Sequence, residues 1–266
     1  MTTVKRPDGA EIVYHSSGTD STHPALVFAH GWCSNHASWE HQTRYFGNQH
    51  RVIALDRRGH GESTTSGTGH DPMGHASDIA AVIEDAGLTD VIVVGHAGGC
   101  PGVMELLRTY PALVRAGVIV DAYLYPQVNA NDPDSLFGAF FGNIIDGLQG
   151  PDADEKFREC YTAFFGASLN DETIRGIVDD AAQTPNAVKI AEIEGLLVDL
   201  AEIARGITQP VLWLMGSFLH EAQNREYLVA NLRDVGFAEV FGSGHFPHVE
   251  QPAQVNAAIA AFIEQL

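Results

Sequence analysis

The chain is poor in cysteine, in basic residues and in long apolar runs, and each shortage excludes something. Its three cysteines, Cys33, Cys100 and Cys160, are scattered and odd in number, which argues for reduced thiols rather than a disulfide frame. Lysine and arginine together number 15 against 34 aspartates and glutamates, a formal charge of −19. That excess opposes binding to nucleic acid or to an anionic membrane. No apolar run approaches the roughly 20 residues that span a bilayer, and residues 1–9 carry no apolar stretch of the signal-peptide kind. The expectation is a cytoplasmic protein, a monomer or weak dimer. The sequence also lacks a P-loop, a dinucleotide G-x-G-x-x-G and any closely spaced His, Cys and carboxylate set. Neither a cofactor nor a metal is therefore expected.

What is present is alternation. Short apolar runs at 11–14, 25–29, 51–56, 91–95, 117–120, 211–215 and 238–241 read as strands. Helical spacing of Met73, Ala76, Ile79, Ala80 and Ile83 marks a helix over 71–87. Further helices are expected after residue 100 and over 251–266, where Pro252 suits a first turn. Strands alternating with helices predict an α/β fold with a mostly parallel central sheet covered on both faces. The predicted core is 1–124 and 206–266. Residues 125–205 contain no convincing strand and read as an inserted helical cap. There Phe137, Phe140, Phe141, Ile144, Ile145 and Leu148 fall on one helical face, and Phe157, Tyr161, Phe164 and Phe165 on another. Such a surface either glues cap to core or lines a ligand cavity.

The decisive segment is Gly95-His96-Ala97-Gly98-Gly99, an apolar strand running into a glycine-rich turn. This is a G-x-S-x-G nucleophile elbow with alanine in the serine position. Ala97 has no hydroxyl and cannot carry an acyl group. Cys100 lies a helical turn beyond, where its thiol packs along the helix. Four other segments fit the same plan. His30-Gly31-Trp32-Cys33 follows the third strand, so the amides of Trp32 and Gly98 would form an oxyanion hole. Asp56-Arg57-Arg58-Gly59-His60-Gly61-Glu62-Ser63 is a D-x-x-G-x-G-x-S loop. Gly244-His245-Phe246-Pro247 follows the last strand and makes His245 the candidate general base. Asp121 ends the run Val118-Ile119-Val120 and is its candidate acid partner, with Glu221 as fallback. Trp32, His36, His96, Ala97, Gly98, Phe137, Phe140 and Phe141 are the candidate substrate contacts.

In Gly31-Trp32-Cys33 with His36, in Arg58-Gly59-His60-Gly61, in Val118-Ile119-Val120-Asp121 and in Gly244-His245-Phe246-Pro247, the chain resembles the cofactor-independent 3-hydroxy-4(1H)-quinolone 2,4-dioxygenases. The resemblance covers nearly the whole length and departs from the family at Ala97 and Gly98. It implies an α/β-hydrolase fold, no cofactor beyond dioxygen as co-substrate, and a His245–Asp121 dyad that removes the 3-hydroxyl proton. It also implies ring opening to an N-acylanthranilate with release of carbon monoxide. The apolar cap points to a small aromatic substrate with an alkyl tail, the 2-heptyl compound over the 2-methyl one, and so to quorum quenching. Two other readings fit an empty elbow: a serine esterase or lactonase carrying a serine-to-alanine change at position 97, and a catalytically dead ligand receptor.

Overall fold

A computed structural model describes residues 1–19, 22–124, 136–216 and 222–266, without the side chains at 136, 137, 222 and 223. Phe137 and Glu221 as candidate site residues therefore lie outside the described side chains. The sheet has eight strands: β1 (Thr2–Lys5), β2 (Glu11–Gly18), β3 (Ala25–Ala29), β4 (Arg51–Leu55), β5 (Val91–His96), β6 (Val114–Val120), β7 (Val211–Met215) and β8 (Val235–Glu239). Their order is β1-β2-β4-β3-β5-β6-β7-β8. β2 runs antiparallel to β1 and β4, and every other neighbouring pair is parallel.

Alternation along the central strands builds two apolar layers, because successive side chains leave a strand on opposite faces. Leu26, Phe28, Ile92 and Val94 face one way, onto Trp39, Val255 and Ile259. Val27, Ile53, Val93 and Ile119 face the other, onto Ile79, Ile83, Val103 and Leu107. The first layer is covered by α1 (Glu40–Phe46), α10 (Pro247–Glu250) and α11 (Pro252–Ile263), the second by α2 (Pro72–Asp85), α3 (Cys100–Thr109) and α9 (Ala222–Asn231). α2 starts where the sequence supplies a cap: Asp71 accepts from the Gly74 amide at 2.7 Å, and Pro72 sits in the first turn.

Three local expectations are corrected. The last strand is Val235–Glu239 rather than 238–241, and Phe241 is 66% exposed. Pairing of Val235, Gly236 and Phe237 with Val211, Leu212 and Trp213 sets the register, and an outermost strand exposes too much of itself for apolarity to mark it. Met73 is 44% exposed, at the solvent end of α2. β1 was not expected at all; it is short and polar, and its register on β2 defines it.

The insertion holds α4 (Leu136–Gln149), α5 (Ala153–Thr162), α6 (Asp171–Ala182), α7 (Asn186–Leu196) and α8 (Leu200–Arg205). Leu148, Phe157, Tyr161, Val178, Ala181 and Ile193 form a separate apolar cluster that continues into Cys33 and Phe246 of the core. One buried charge network fastens the cap from below. Glu192 on α7 is paired with Arg57, and its Oε1 lies 2.7 Å from His75 Nε2 and 3.0 Å from His70 Nδ1. Burial alone would raise the Glu192 carboxyl, but Arg57 and His75 hold it well below the usual range. Removing one member of a buried pair strands the other charge, so Glu192→Ala is expected to cost about 3–5 kcal/mol in chemical denaturation. Asp154→Ala, which breaks an exposed pair with Arg158, should move the midpoint little. A Glu192→Ala midpoint equal to wild type would show that the network does not fasten the cap.

Candidate active site

β5 delivers the chain into a tight turn at Ala97–Gly99, and α3 leaves it at once. Ala97 has φ +44°, in the left-handed region. For an L-residue other than Gly this costs roughly 1–2 kcal/mol. The turn survives because its glycines allow close approach: a Cβ on Gly99 would lie 2.3 Å from the His30 carbonyl oxygen. The elbow thus keeps a nucleophile's backbone geometry beneath a methyl group. Cys100 is buried with its Sγ 3.7 Å from the Val120 carbonyl oxygen, and burial pushes its thiol well up, which disfavours a thiolate.

Asp121 ends β6, also in the left-handed region at φ +51°, and is fully buried. Its Oδ1 accepts from the Gly216 amide at 2.7 Å, and its Oδ2 lies 2.6 Å from His245 Nδ1. A carboxylate only accepts, so Nδ1 carries the proton and Nε2 bears the ring's lone pair. The His245 amide donates to the Phe164 carbonyl at 2.7 Å. The loop bearing the histidine is held a second time by Glu250, which accepts from the amides of Gly244 at 3.0 Å, Phe246 at 3.3 Å and Gly166 at 2.9 Å, and from Ser168 Oγ at 3.0 Å. Sequence reading missed Glu250, although it stands five residues past His245. A carboxylate there looks like an ordinary helix residue until its donors are assembled.

A cavity of about 160 Å³ opens over the elbow and the dyad. Trp32, His96, Ala97, Gly98, Asp121 and His245 form its floor, and Phe140, Phe141, Ile144, Tyr161 and Phe164 are among its cap-side walls. Phe140 is 39% exposed and so sits at a rim. A second cavity of about 320 Å³ lies between α4 and α5 and shares Phe140 and Ile144 with the first. Trp32 is fixed by its indole N–H, which donates to the Lys189 carbonyl at 3.0 Å, and by its own carbonyl, which accepts from Tyr161 Oη at 3.1 Å. Its amide nitrogen is 3.2 Å from where a Gly98 side chain would begin, so the two expected oxyanion amides are neighbours.

Two expected contacts are placed differently. His36 does not line the cavity: its amide and Nδ1 both engage Asp56 Oδ1, at 2.7 and 2.9 Å, and its ring stacks on His15. The Asp56 carboxylate claims it first. His96 does line the cavity, but Nε2 donates to the His245 carbonyl at 2.7 Å, so that N–H is already engaged. Burial, with His248 and His245 beside it, drives His96 well below its ordinary value, and it is neutral.

Residues 26–258 match the family described as "Alpha/beta hydrolase family". The chain belongs to it. A non-heme haloperoxidase of Rhodococcus erythropolis is 44% identical over 277 residues, covering 99% of this chain and 100% of that protein. Matches to a non-heme chloroperoxidase of Streptomyces lividans and a bifunctional esterase/perhydrolase of Acinetobacter calcoaceticus span only 66% and 53% of those proteins. A 2-heptyl-3-hydroxy-4-quinolone dioxygenase of Rhodococcus erythropolis is 30% identical over 104 residues, 39% of this chain and 37% of that one. An esterase structure from Exiguobacterium antarcticum superposes with a TM-score of 0.87, covering 99% of each chain at 21% identity, a likeness of fold alone. Among the described residues no helix is long and apolar enough to cross a membrane.

His248, behind His96, is fully buried, its ring lies tilted 4.2 Å from that of Trp39, and neither ring nitrogen has a hydrogen-bond partner among the described residues. Burial, with His245 and His41 nearby, pushes it down to about 3. Folded His248 is therefore neutral where the unfolded residue protonates, below about pH 6.5. Stability is lost as pH falls through that window, by up to about 1.4 kcal/mol per pH unit for this one group. His248→Leu removes a one-proton slope, so urea denaturation between about pH 4 and 6.5 should show a flatter pH dependence than wild type. Parallel curves would mean that His248 is not held neutral by the fold.

Proposed function

We propose that this hydrolase-fold enzyme uses His245 as a general base without a nucleophile, and that it is a cofactor-free dioxygenase of a 2-alkyl-3-hydroxy-4(1H)-quinolone. The observation that carries this reading is the oriented His245–Asp121 pair facing an elbow whose residue has no hydroxyl. An acyl-enzyme route has no atom to start from, whereas proton abstraction has everything it needs. The acid at the end of β6 supports it too, as does the partial likeness to the quinolone dioxygenase.

In this mechanism Nε2 of His245 takes the 3-hydroxyl proton, and Asp121 stabilises the imidazolium that forms. The electron-rich anion gives its electrons to dioxygen and a C–O bond forms at C2. The distal oxygen of the peroxide attacks C4, closing a bicyclic peroxide. Its O–O bond and the two ring bonds to C3 break, C3 leaves as carbon monoxide, and an N-acylanthranilate remains. A neutral His96 and apolar cap walls supply a dry setting in which fixed dipoles act strongly. The second chamber offers room for the alkyl tail.

A second reading is favoured by the comparisons, since a full-length relative is a haloperoxidase and other relatives and fold neighbours are esterases. In it the chain is a serine esterase, lactonase or perhydrolase with alanine in the nucleophile's place. The two readings part in one experiment. Chelator-treated protein mixed in air with 2-heptyl-3-hydroxy-4(1H)-quinolone should release carbon monoxide, and His245→Ala should lower that rate by about 10²–10⁴. Asp121→Ala should cost less, since it orients rather than moves the proton. Ala97→Ser should alter this rate only modestly. No carbon monoxide, together with a gain of several powers of ten in ester hydrolysis for Ala97→Ser, would establish the esterase reading instead.

A further inference from the structure

Among the described residues, two sets of metal-ligating side chains gather outside the cavity. The first, His70, His75 and Glu192, already contains a cation: Arg57 pairs with Glu192, and its Nη2 lies 2.8 Å from His75 Nε2. In that set the place of a cation is therefore already taken by Arg57.

The second set draws on four segments that only the fold brings together. His15 comes from β2, His36 from the turn after β3, Asp56 from just past β4, and Glu62 from the loop beyond it. One ligand atom from each lies within 4.8 Å of all the others. His36 Nδ1 is 2.9 Å from Asp56 Oδ1, and His15 Nε2 is 2.9 Å from Glu62 Oε2. The two rings stack 3.6 Å apart with planes within 12° of parallel. The two pairs thus turn toward one region. Asp56 is anchored by the backbone: Oδ1 accepts from the His36 amide at 2.7 Å and Oδ2 from the Glu62 amide at 3.0 Å. Gly61, at φ +52°, lets the loop wrap this carboxylate, since a Cβ there would lie 2.4 Å from Asp56 Cγ. The ion pairs of Asp56 and Glu62 among the described residues are those with the two histidines, so no arginine fills the place that Arg57 fills in the first set.

We propose that His15, His36, Asp56 and Glu62 form a binding site for a divalent transition-metal ion of the zinc type, separate from the cavity over the dyad. Two neutral imidazoles and two carboxylates give an N2O2 donor set whose charge of −2 matches the ion. Imidazole nitrogen favours zinc, nickel or copper over magnesium or calcium. Ligand bonds of about 2.0–2.2 Å require the four atoms to draw together, and ring lone pairs lie in the ring planes, so one ring must tilt out of the stack. His15 and Glu62 supply that movement, with side chains 34% and 50% exposed. His36 and Asp56 are the fixed half. A bound ion would tie β2 to the loop that follows β4.

The test needs no knowledge of the reaction. The full chain, stripped with chelator, is titrated with Zn²⁺ against a chromophoric chelator and with Co²⁺ by visible absorption. One ion per chain is expected, with a rise in melting temperature that chelator reverses. His15→Ala and Glu62→Gln should each weaken binding by about tenfold or more, while their metal-free melting temperatures and circular dichroism stay those of wild type. If one variant misfolds, imidazole NMR of the wild-type protein gives a second measure: the His15 and His36 ring signals should shift with one equivalent of Zn²⁺. Absence of stoichiometric binding, undiminished binding in both variants, or loss of binding on His70→Ala alone would overturn the proposal.

Discussion

The 2.6 Å hydrogen bond between Asp121 and His245 joins positions 124 apart in sequence, and the rest of the site is arranged around it. Asp121 is held in a left-handed backbone conformation at the end of β6, tolerable for an aspartate, and its other oxygen is taken by the Gly216 amide after β7. The carboxylate therefore has one free direction, toward the imidazole. His245 is fixed in return by the Phe164 carbonyl, which belongs to the cap. Two core strands and the insertion thus converge on one side chain. An imidazole held this way would need little reorganisation to take a proton, the contribution that a rigid site makes to such a step.

The charge buried nearby is paired. Arg57, His70, His75 and Glu192 pair with one another beneath the cap, and Glu250 gathers backbone amides from the histidine loop and from the cap loop at Gly166. Both carboxylates join the insertion to the core, one below α7 and one beside His245. The cavity walls are therefore positioned by polar clamps at their edges and by apolar packing between them. His96 and His248, kept neutral by burial, add no positive charge beside the His245–Asp121 pair.

An empty elbow that keeps its left-handed turn is informative in its own right. Ala97 gains nothing from φ +44° that a relaxed turn would not give it. The strain persists because β5, the close-packed glycines and α3 over-determine the backbone there. The turn positions the amide of Gly98 beside that of Trp32 and forms the cavity floor whether or not a hydroxyl stands above it. The backbone of the turn is therefore independent of whether its side chain is a nucleophile.

The sequence by itself determined the architecture and the chemical core of the site. Two-residue alternation in buried strands, a glycine-rich turn after β5, and a histidine after the last strand are local patterns that survive without coordinates, because each reflects a backbone requirement within a few residues. The choice of Asp121 as the histidine's partner was legible for the same reason: an acid that ends an apolar strand has few places to go. What remained hidden depended on segments far apart in sequence. His36 lost its expected place at the cavity to Asp56, and the His15–Glu62 pair beside them has no sequence signature. Glu192 and Glu250 looked like ordinary helix residues until their donors, up to 135 positions away for Arg57 and 84 for Gly166, were folded against them. Side-chain partners of that kind are set by how helices and loops stack on the sheet, and stacking is the property that one-dimensional periodicity does not encode.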